Sequence, residues 1–164
     1  MSISIKLKEY LDSQKVPYQV LPHEEVYTSL ETAQSLHVPG KDLAKVTMVS
    51  VEDKLVMTVL PSTWKVDLNR LKEVFKATDI RLATEDQFKD TFPDCEVGAM
   101  PPFGNLYGLK VYVDDSLTED DEIVFDGGTH QEGLRMRYKD FAALVKPIVA
   151  TFHLVPSKMA EGPY

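Results

Sequence analysis

Three segments carry residue types that together could cleave an ester. Lys45 opens the apolar run KVTMVSV and supplies a cation. The segment VGAMPPFG, residues 97–104, contains two adjacent prolines among glycines. The segment DGGTH, residues 126–130, places a threonine and a histidine after two glycines. A cation, a loop of backbone N–H donors and a titratable side chain are the groups that such chemistry requires.

Each segment also has a plainer interpretation. A lysine at the start of a strand is usually solvated, and a cluster of glycine and proline usually makes a tight connection. A Gly-Gly pair is normally a turn, and an isolated histidine normally lies on the surface. However, proline fixes φ, and glycine permits positive φ and close approach of other atoms. Residues 97–104 are therefore also expected to form a rigid loop whose remaining N–H groups point at a ligand.

Other catalytic signatures are absent from the sequence. It contains no G-x-S-x-G, P-loop, G-x-G-x-x-G or H-E-x-x-H motif. The four histidines lack metal-ligand spacing, and the acidic stretch VDDSLTEDDEIVFD is better explained as a solvated turn than as a metal site. A thiol hydrolase built on Cys95 and His130 is rejected, because a lone cysteine is more often a small core or strand residue.

Composition limits the class of protein. The length of 164 residues and 43% hydrophobic content indicate one globular domain, expected over residues 1–152 with a tail over 153–164. One cysteine and the lack of a long apolar run predict a cytoplasmic protein without a membrane partner. The net charge of −8 argues against DNA binding and against a broad electrostatic grip on nucleic acid. Residues 41–76, with seven Lys/Arg and five Asp/Glu, are the exception and could contact a phosphate.

Hydrophobic periodicity and capping signals predict the elements that position these residues. Strands are expected over 16–21, 45–51, 55–60, 109–114, 122–126 and 134–138, the second and third forming a hairpin. Helices are expected over 3–14, 28–36, 67–75, 84–92 and 140–149. Short helices between mostly antiparallel strands indicate an α+β fold, with a mixed, barrel-like sheet around one core.

The segments AKVTMV, VGAMPPFG and GGTH, in this order and spacing, resemble the YbaK/prolyl-tRNA-synthetase-associated editing domain family. The resemblance covers about residues 3–150 and includes the helix start YTSLETA. It implies an α+β fold and a trans-editing deacylase that hydrolyses the ester of a mischarged aminoacyl-tRNA. It also implies catalysis without a metal or other cofactor.

The same resemblance implies roles for individual residues. Lys45 matches the lysine that anchors the terminal adenosine and its phosphate. Gly98, Ala99, Met100, Pro101 and Pro102 match the G-x-x-x-P loop, whose N–H groups at Gly98 and Ala99 would stabilise an oxyanion. Gly128, Thr129 and His130 match the segment that lines the amino-acid pocket.

Two matched residues keep more than one interpretation. His130 is expected to orient the substrate, to act as a general base, or only to hydrogen-bond the turn. Thr28 is expected either to cap a helix or to contact the substrate at the mouth of the pocket.

The expected partner is the acceptor end of a mischarged tRNA, with a synthetase or an elongation factor as a candidate helper. The alternative is a non-catalytic module that binds tRNA or a nucleotide and retains the fold. A metal-dependent hydrolase is the third possibility.

Overall fold

A computed structural model describes residues 4–22 and 43–154 of the chain. The helix predicted over 28–36, and Thr28 with it, lies outside these residues. The helices are α1 (Ile5–Ser13), α2 (Leu68–Phe75), α3 (Glu85–Phe88) and α4 (Tyr138–Val145), with 3-10 helices at Gly104–Tyr107 and Asp115–Glu119. The strands are β1 (Gln19–Pro22), β2 (Ala44–Val51), β3 (Lys54–Pro61), β4 (Ile80–Leu82), β5 (Val111–Asp114), β6 (Glu122–Thr129), β7 (Glu132–Arg137) and β8 (Ile148–Ala150).

Side-chain caps explain why three helices begin where they do. The Ser4 hydroxyl accepts the Leu7 amide at the start of α1, at 3.3 Å. The Asp67 carboxylate accepts two first-turn amides of α2, as predicted. At α3, the Gln87 side chain accepts the Thr84 amide at 2.8 Å, which is the reciprocal bond of the predicted capping box. These local signals therefore decide the helix starts.

The strands form two sheets of mixed, mostly antiparallel pairing. One sheet has the order β1-β7-β6, and the other has the order β4-β2-β3-β5-β8. The predicted hairpin is confirmed as β2 and β3, paired from Ala44↔Pro61 to Val51↔Lys54. The pairs β3–β5 and β5–β8 are parallel. The α+β class is therefore confirmed.

The sheet is not closed into a barrel among the described residues, so that part of the prediction is wrong. An isolated parallel bridge between Leu43 and Val124 links the two sheets there. Alternation of side chains along a strand is compatible with a closed sheet or with two separate sheets, because it shows which face is buried and not which edges pair.

Two core clusters lie on opposite faces of the five-stranded sheet. The larger cluster receives Ala44 and Met48 from β2, together with Met100 and Phe103. The smaller cluster receives Val49 from β2 and contains, among others, Val66, Leu71 and Phe152. Because successive side chains of a strand alternate, Lys45 lies on the face of the smaller cluster.

The C-terminal part differs from the prediction in two respects. The helix expected over 140–149 ends at Val145, where Lys146 adopts a left-handed conformation before Pro147, and β8 follows. The strand that contains Asp126 continues through both glycines to Thr129, with an irregularity between Asp126 and Thr129.

Residues 152–154 pack against the domain. Phe152 and Leu154 are buried, and His153 forms an isolated bridge with Val66. In the described ranges, no helix has the length and apolarity needed to span a membrane.

Candidate active site

The G-x-x-x-P loop and the GGTH segment form one hydrogen-bonded unit. Glu96 donates its amide to the Gly128 carbonyl at 2.8 Å, and Gly128 donates its amide to the Ala99 carbonyl at 2.9 Å. The His130 amide donates to the Glu96 carboxylate at 3.4 Å. The structure thus brings together two of the three predicted segments, although they are far apart in the sequence.

Both key glycines of this unit have a left-handed backbone. Gly98 has φ +88°, and a Cβ there would lie 3.4 Å from the His130 ring. Gly128 has φ +106°, and a Cβ would lie 3.0 Å from the Ser4 side chain. A side chain at either position would be strained by the backbone and would approach a neighbour closely.

His130 is only 6% exposed and faces the loop. Its Nε2 lies 2.9 Å from the Val97 carbonyl oxygen. Because a carbonyl oxygen only accepts hydrogen bonds, Nε2 carries a proton and donates it to this bond. Of the roles predicted for His130, this contact supports the hydrogen bond to the turn.

The two amides expected to stabilise an oxyanion already have acceptors. Gly98 donates to the thioether sulfur of Met100 at 3.2 Å, and Ala99 donates to the Glu96 carbonyl at 3.0 Å. Gly98 is exposed, whereas residues 99–102 are buried. A thioether is a weak acceptor, so the Gly98 amide is the more easily released of the two.

Helix α1 and the residues before the loop fix the unit from one side. The Ser4 amide donates to the Gly127 carbonyl at 2.8 Å, and the Ser4 hydroxyl donates to the Asp94 carboxylate. The Tyr107 hydroxyl also donates to Asp94, at 2.9 Å. Burial opposes ionisation of Asp94, but the bonds from Ser4 and Tyr107 outweigh it and lower the pKa of this carboxyl.

Cys95 lies beside this group and is partly buried. Its sulfur is 3.4 Å from the Tyr107 hydroxyl. Burial raises the pKa of the Cys95 thiol to about 11, and the nearby Asp94 carboxylate adds to the effect. Because the thiolate is the nucleophilic form, this environment agrees with rejection of a thiol hydrolase.

Lys45 lies in a cavity of about 130 Å³ on the other face of β2, together with Lys65, Thr47, Val66 and Leu82. Burial lowers the pKa of Lys45 to about 8, and the charge of Lys65 lowers it further in the same direction. Within the described residues, no hydrogen bond or ion pair joins Lys45 to the Gly98 loop. Lys45 thus lies on the opposite face of β2 from the core cluster that contains Met100.

Asp126 is a partly buried titratable group that sequence reasoning did not single out. Its Oδ1 is shielded from solvent and has no hydrogen-bond partner among the described residues. Burial raises the pKa of this carboxyl to about 7, and His130 acts in the opposite direction. The available signal was a carboxylate directly after the apolar residues 123–125.

The remaining matched residues that the structure describes are buried. Pro101 and Pro102 are buried beside Phe103, which belongs to the larger core cluster. Thr129 is buried, and its hydroxyl accepts the Gln131 amide at 3.3 Å. Sequence reasoning missed Ser4 and Asp94, which show no pattern because their contacts are far apart in the chain.

Three side chains elsewhere place possible metal-ligand atoms within 4.8 Å of one another: Asp114, Asp115 and His153. Asp114 already accepts hydrogen bonds from the Phe152 and His153 amides at 2.8 and 3.1 Å. It also accepts from the Ser116 hydroxyl and lies 2.9 Å from the His153 ring. These bonds give Asp114 a structural role in holding residues 152–154.

Known proteins resemble the chain in sequence. The model of the aminoacyl-tRNA editing domain matches residues 23–144. A proline–tRNA ligase from Sulfurihydrogenibium sp. (strain YO3AOP1) is 33% identical over 110 residues, covering 63% of this chain and 19% of the ligase. One from Bacillus cereus (strain AH187) is 24% identical over 105 residues, covering 63% and 18%. The chain thus matches less than a fifth of the length of these curated relatives.

Solved structures share the fold. The hypothetical protein APE2540 superposes with a TM-score of 0.82 at 20% identity, covering 91% of this chain and 99% of that one. A structure described as "a putative trans-editing enzyme for prolyl tRNA synthetase" gives 0.79 at 21% identity, covering 93% and 97%. The family model covers most of the chain, including the Gly98 loop and the GGTH segment, and the chain therefore belongs to the aminoacyl-tRNA editing domain family.

Proposed function

We propose that the chain is a trans-editing hydrolase that cleaves the ester bond of a mischarged aminoacyl-tRNA. The observation that carries this proposal is the unit formed by the Gly98 loop and residues 128–130. The relatives are proline–tRNA ligases, and a similar structure of nearly the same extent is described as "a putative trans-editing enzyme for prolyl tRNA synthetase". The proposed substrates are therefore products of prolyl-tRNA synthetase errors, which involve small amino acids such as alanine, cysteine, serine and threonine.

An aminoacyl ester is already reactive, since its α-ammonium group withdraws electrons and a ribose hydroxyl lies beside it. The enzyme mainly has to hold the ester, position a water molecule and stabilise the developing oxyanion. In this proposal the Gly98 amide leaves the Met100 sulfur and donates to the oxyanion. Backbone donors of this kind stabilise a transition state without a strong base.

His130 acts in this mechanism as a positioning residue. Its bond to the Val97 carbonyl and the bond from its amide to Glu96 hold the loop against residues 128–130. Pro101 and Pro102 restrict the loop further, because their φ angles are fixed. The geometry needed at Gly98 is then formed before the substrate arrives.

Lys45 contributes at a distance from the ester. Its ammonium group shares a cavity with Lys65 and has no carboxylate partner among the described residues. We assign it to a phosphate of the acceptor end. A negatively charged chain that grips only this end of tRNA needs few phosphate contacts, and its binding should be weak and salt-sensitive.

One observation favours the alternative of a non-catalytic tRNA- or nucleotide-binding module. The amides of Gly98 and Ala99 both have acceptors in the loop itself. In such a module these bonds would stay closed and the pocket would bind without cleaving.

The decisive experiment is hydrolysis of a panel of tRNAs mischarged with alanine, cysteine, serine, threonine and other amino acids. We expect the wild type to release one or two of them, and Lys45→Ala to lower this rate by about a hundredfold through loss of a charge-assisted contact. Lys54→Ala removes an exposed lysine at the far end of the same hairpin and should leave the rate unchanged. If the folded wild type releases no amino acid from any tRNA, the proposed hydrolase is wrong and the non-catalytic binding module remains.

A chelator arm of the same assay tests the metal-dependent alternative. Activity should persist after the protein is treated with EDTA and dialysed. If activity is lost and returns only when a divalent cation is added, the mechanism proposed above is wrong.

A further inference from the structure

Two lysines line the cavity on the face of β2 that carries the smaller core cluster. Lys45 and Lys65 line it together with Thr47, Val66 and Leu82, and its volume is about 130 Å³. The cavity is open to solvent on one side and has room for a phosphate group.

The fold holds both lysines in place. Lys45 is the second residue of β2 and is paired with Leu60 of β3. The Lys65 carbonyl accepts the Leu154 amide at 2.9 Å, and the next residue, Val66, bridges to His153. Backbone hydrogen bonds therefore fix where both lysine side chains begin, and both residues line the same cavity.

Neither lysine has a carboxylate within ion-pair distance in the described part of the chain. Most described lysines also lack an ion pair, but Lys45 differs from them because it is partly buried and lies beside the charge of Lys65. Placing two like charges together without a counter-charge is costly, and a bound anion would remove that cost.

We propose that Lys65 is a second phosphate-binding residue and that Lys45 and Lys65 together hold one phosphate group in this cavity. The inference rests on the proposed function in one respect, since it takes the phosphate to be an ester at the acceptor end of tRNA. Thr47 lines the same cavity and supplies a hydroxyl that can donate to a phosphate oxygen. The attached nucleoside would lie outside the cavity.

The test is a binding titration that is monitored through the amide chemical shifts of β2 and residues 64–66. The probes are inorganic phosphate, adenosine monophosphate and an uncharged RNA minihelix with a single-stranded 3′ end. We expect Lys65→Gln to weaken binding of the nucleotide and the minihelix about tenfold, which is the effect of one charge-assisted contact. Lys65→Arg should restore most of the affinity, and Lys54→Gln serves as the matched control with unchanged affinity.

The same variants in the deacylation assay separate this inference from the proposed function. Lys65→Gln should raise KM about tenfold and leave kcat unchanged, because the contact is made to a phosphate and not to the reacting ester. If Lys65→Gln changes neither KM nor the affinity for the phosphate probes, the role of Lys65 is overturned. Deacylation by the wild type would still uphold the proposed enzyme. If phosphate binding depends on Lys65 but the wild type deacylates no tRNA, the role of Lys65 would be upheld and the proposed function would be overturned.

The three probes distinguish the sources of the phosphate. Binding of the monophosphate and the minihelix at the cavity supports a phosphate ester of RNA. Binding of inorganic phosphate alone would overturn that source and identify a site for the free anion. No perturbation of β2 by any probe would overturn the site altogether.

Discussion

At the scale of the residue, Gly98 is required by two independent constraints. Its φ of +88° lies in the left-handed region, and a Cβ would be 3.4 Å from the His130 ring. Its amide faces the Met100 sulfur, which is a weak acceptor. The backbone conformation thus determines both the approach of His130 and the direction of the N–H group that we assign to the oxyanion.

Gly98→Ala should abolish most of the deacylation and lower the free energy of unfolding by about 1 kcal/mol, the cost of a left-handed non-glycine residue. Gly108→Ala is the matched control. It has φ +74°, and nothing lies within 4 Å of its added Cβ. Denaturant unfolding should show similar losses of stability for both variants, and only Gly98→Ala should lose activity. Equal activity in the two variants would contradict the role given to Gly98.

The sequence alone indicates Gly98 and His130, because glycine, proline and histidine in this pattern restrict the backbone and the chemistry locally. It does not pair them, since their contact joins segments that are far apart. Lys65 shows the same limit more clearly. Its charge was visible in the basic segment 41–76, but its position beside Lys45 depends on residues 152–154.

At the scale of the element, Asp114 at the end of β5 joins the C-terminal segment to the sheet. Its buried carboxylate accepts hydrogen bonds from the Phe152 and His153 amides and contacts the His153 ring. The His153 ring stacks on Trp64, with ring centroids 4.0 Å apart. Asp114 therefore supports residues 152–154, and Leu154 of this segment donates its amide to the Lys65 carbonyl.

Asp114→Ala should lower the free energy of unfolding by about 3 kcal/mol, because it leaves buried donors without an acceptor. Asp115→Ala removes the neighbouring exposed carboxylate, which accepts a hydrogen bond from the Thr151 hydroxyl. The control should cost less than about 1 kcal/mol. Denaturant titrations of both variants provide the comparison, and equal losses would show that Asp114 has no special structural role.

Local sequence signals predicted which helices and strands form better than they predicted where these elements end. The caps at Asp67 and Thr84 and the β2–β3 hairpin follow from neighbours in the sequence. The end of α4 at Val145 does not, because the following residues leave the helix to pair as β8 beside β5. The closure of the sheets also depends on which edges pair, and that information is not contained in side-chain alternation.

At the scale of the whole molecule, Asp126 links protonation to stability. Burial raises the pKa of its carboxyl to about 7 from an ordinary value near 3.8. Between these values the folded protein retains a proton that the unfolded chain has released. The contribution to stability is therefore complete below pH 3.8 and is lost progressively as the pH rises through 7.

Asp126→Asn removes this titration. The free energy of unfolding should become less dependent on pH between 4 and 7, and at pH 8 the variant should be more stable than the wild type by roughly 2 kcal/mol. Urea unfolding at several pH values measures both effects. Asp121→Asn changes an exposed carboxyl near the start of β6 and should leave the wild-type profile unchanged. The same slope in all three proteins would contradict the assignment to Asp126.

The bonds that close the candidate site also affect how the chain folds. The hydrogen bond between Ser4 and Gly127 joins residues that are far apart in the sequence, and the bond between Gly128 and Ala99 closes a shorter loop. Contacts between distant residues require loop closure before they add stability, so they tend to form late. The β2–β3 hairpin, by contrast, pairs neighbouring residues. On refolding, the hairpin should therefore be native before the site, and a chain in which only this hairpin has formed would not yet be active.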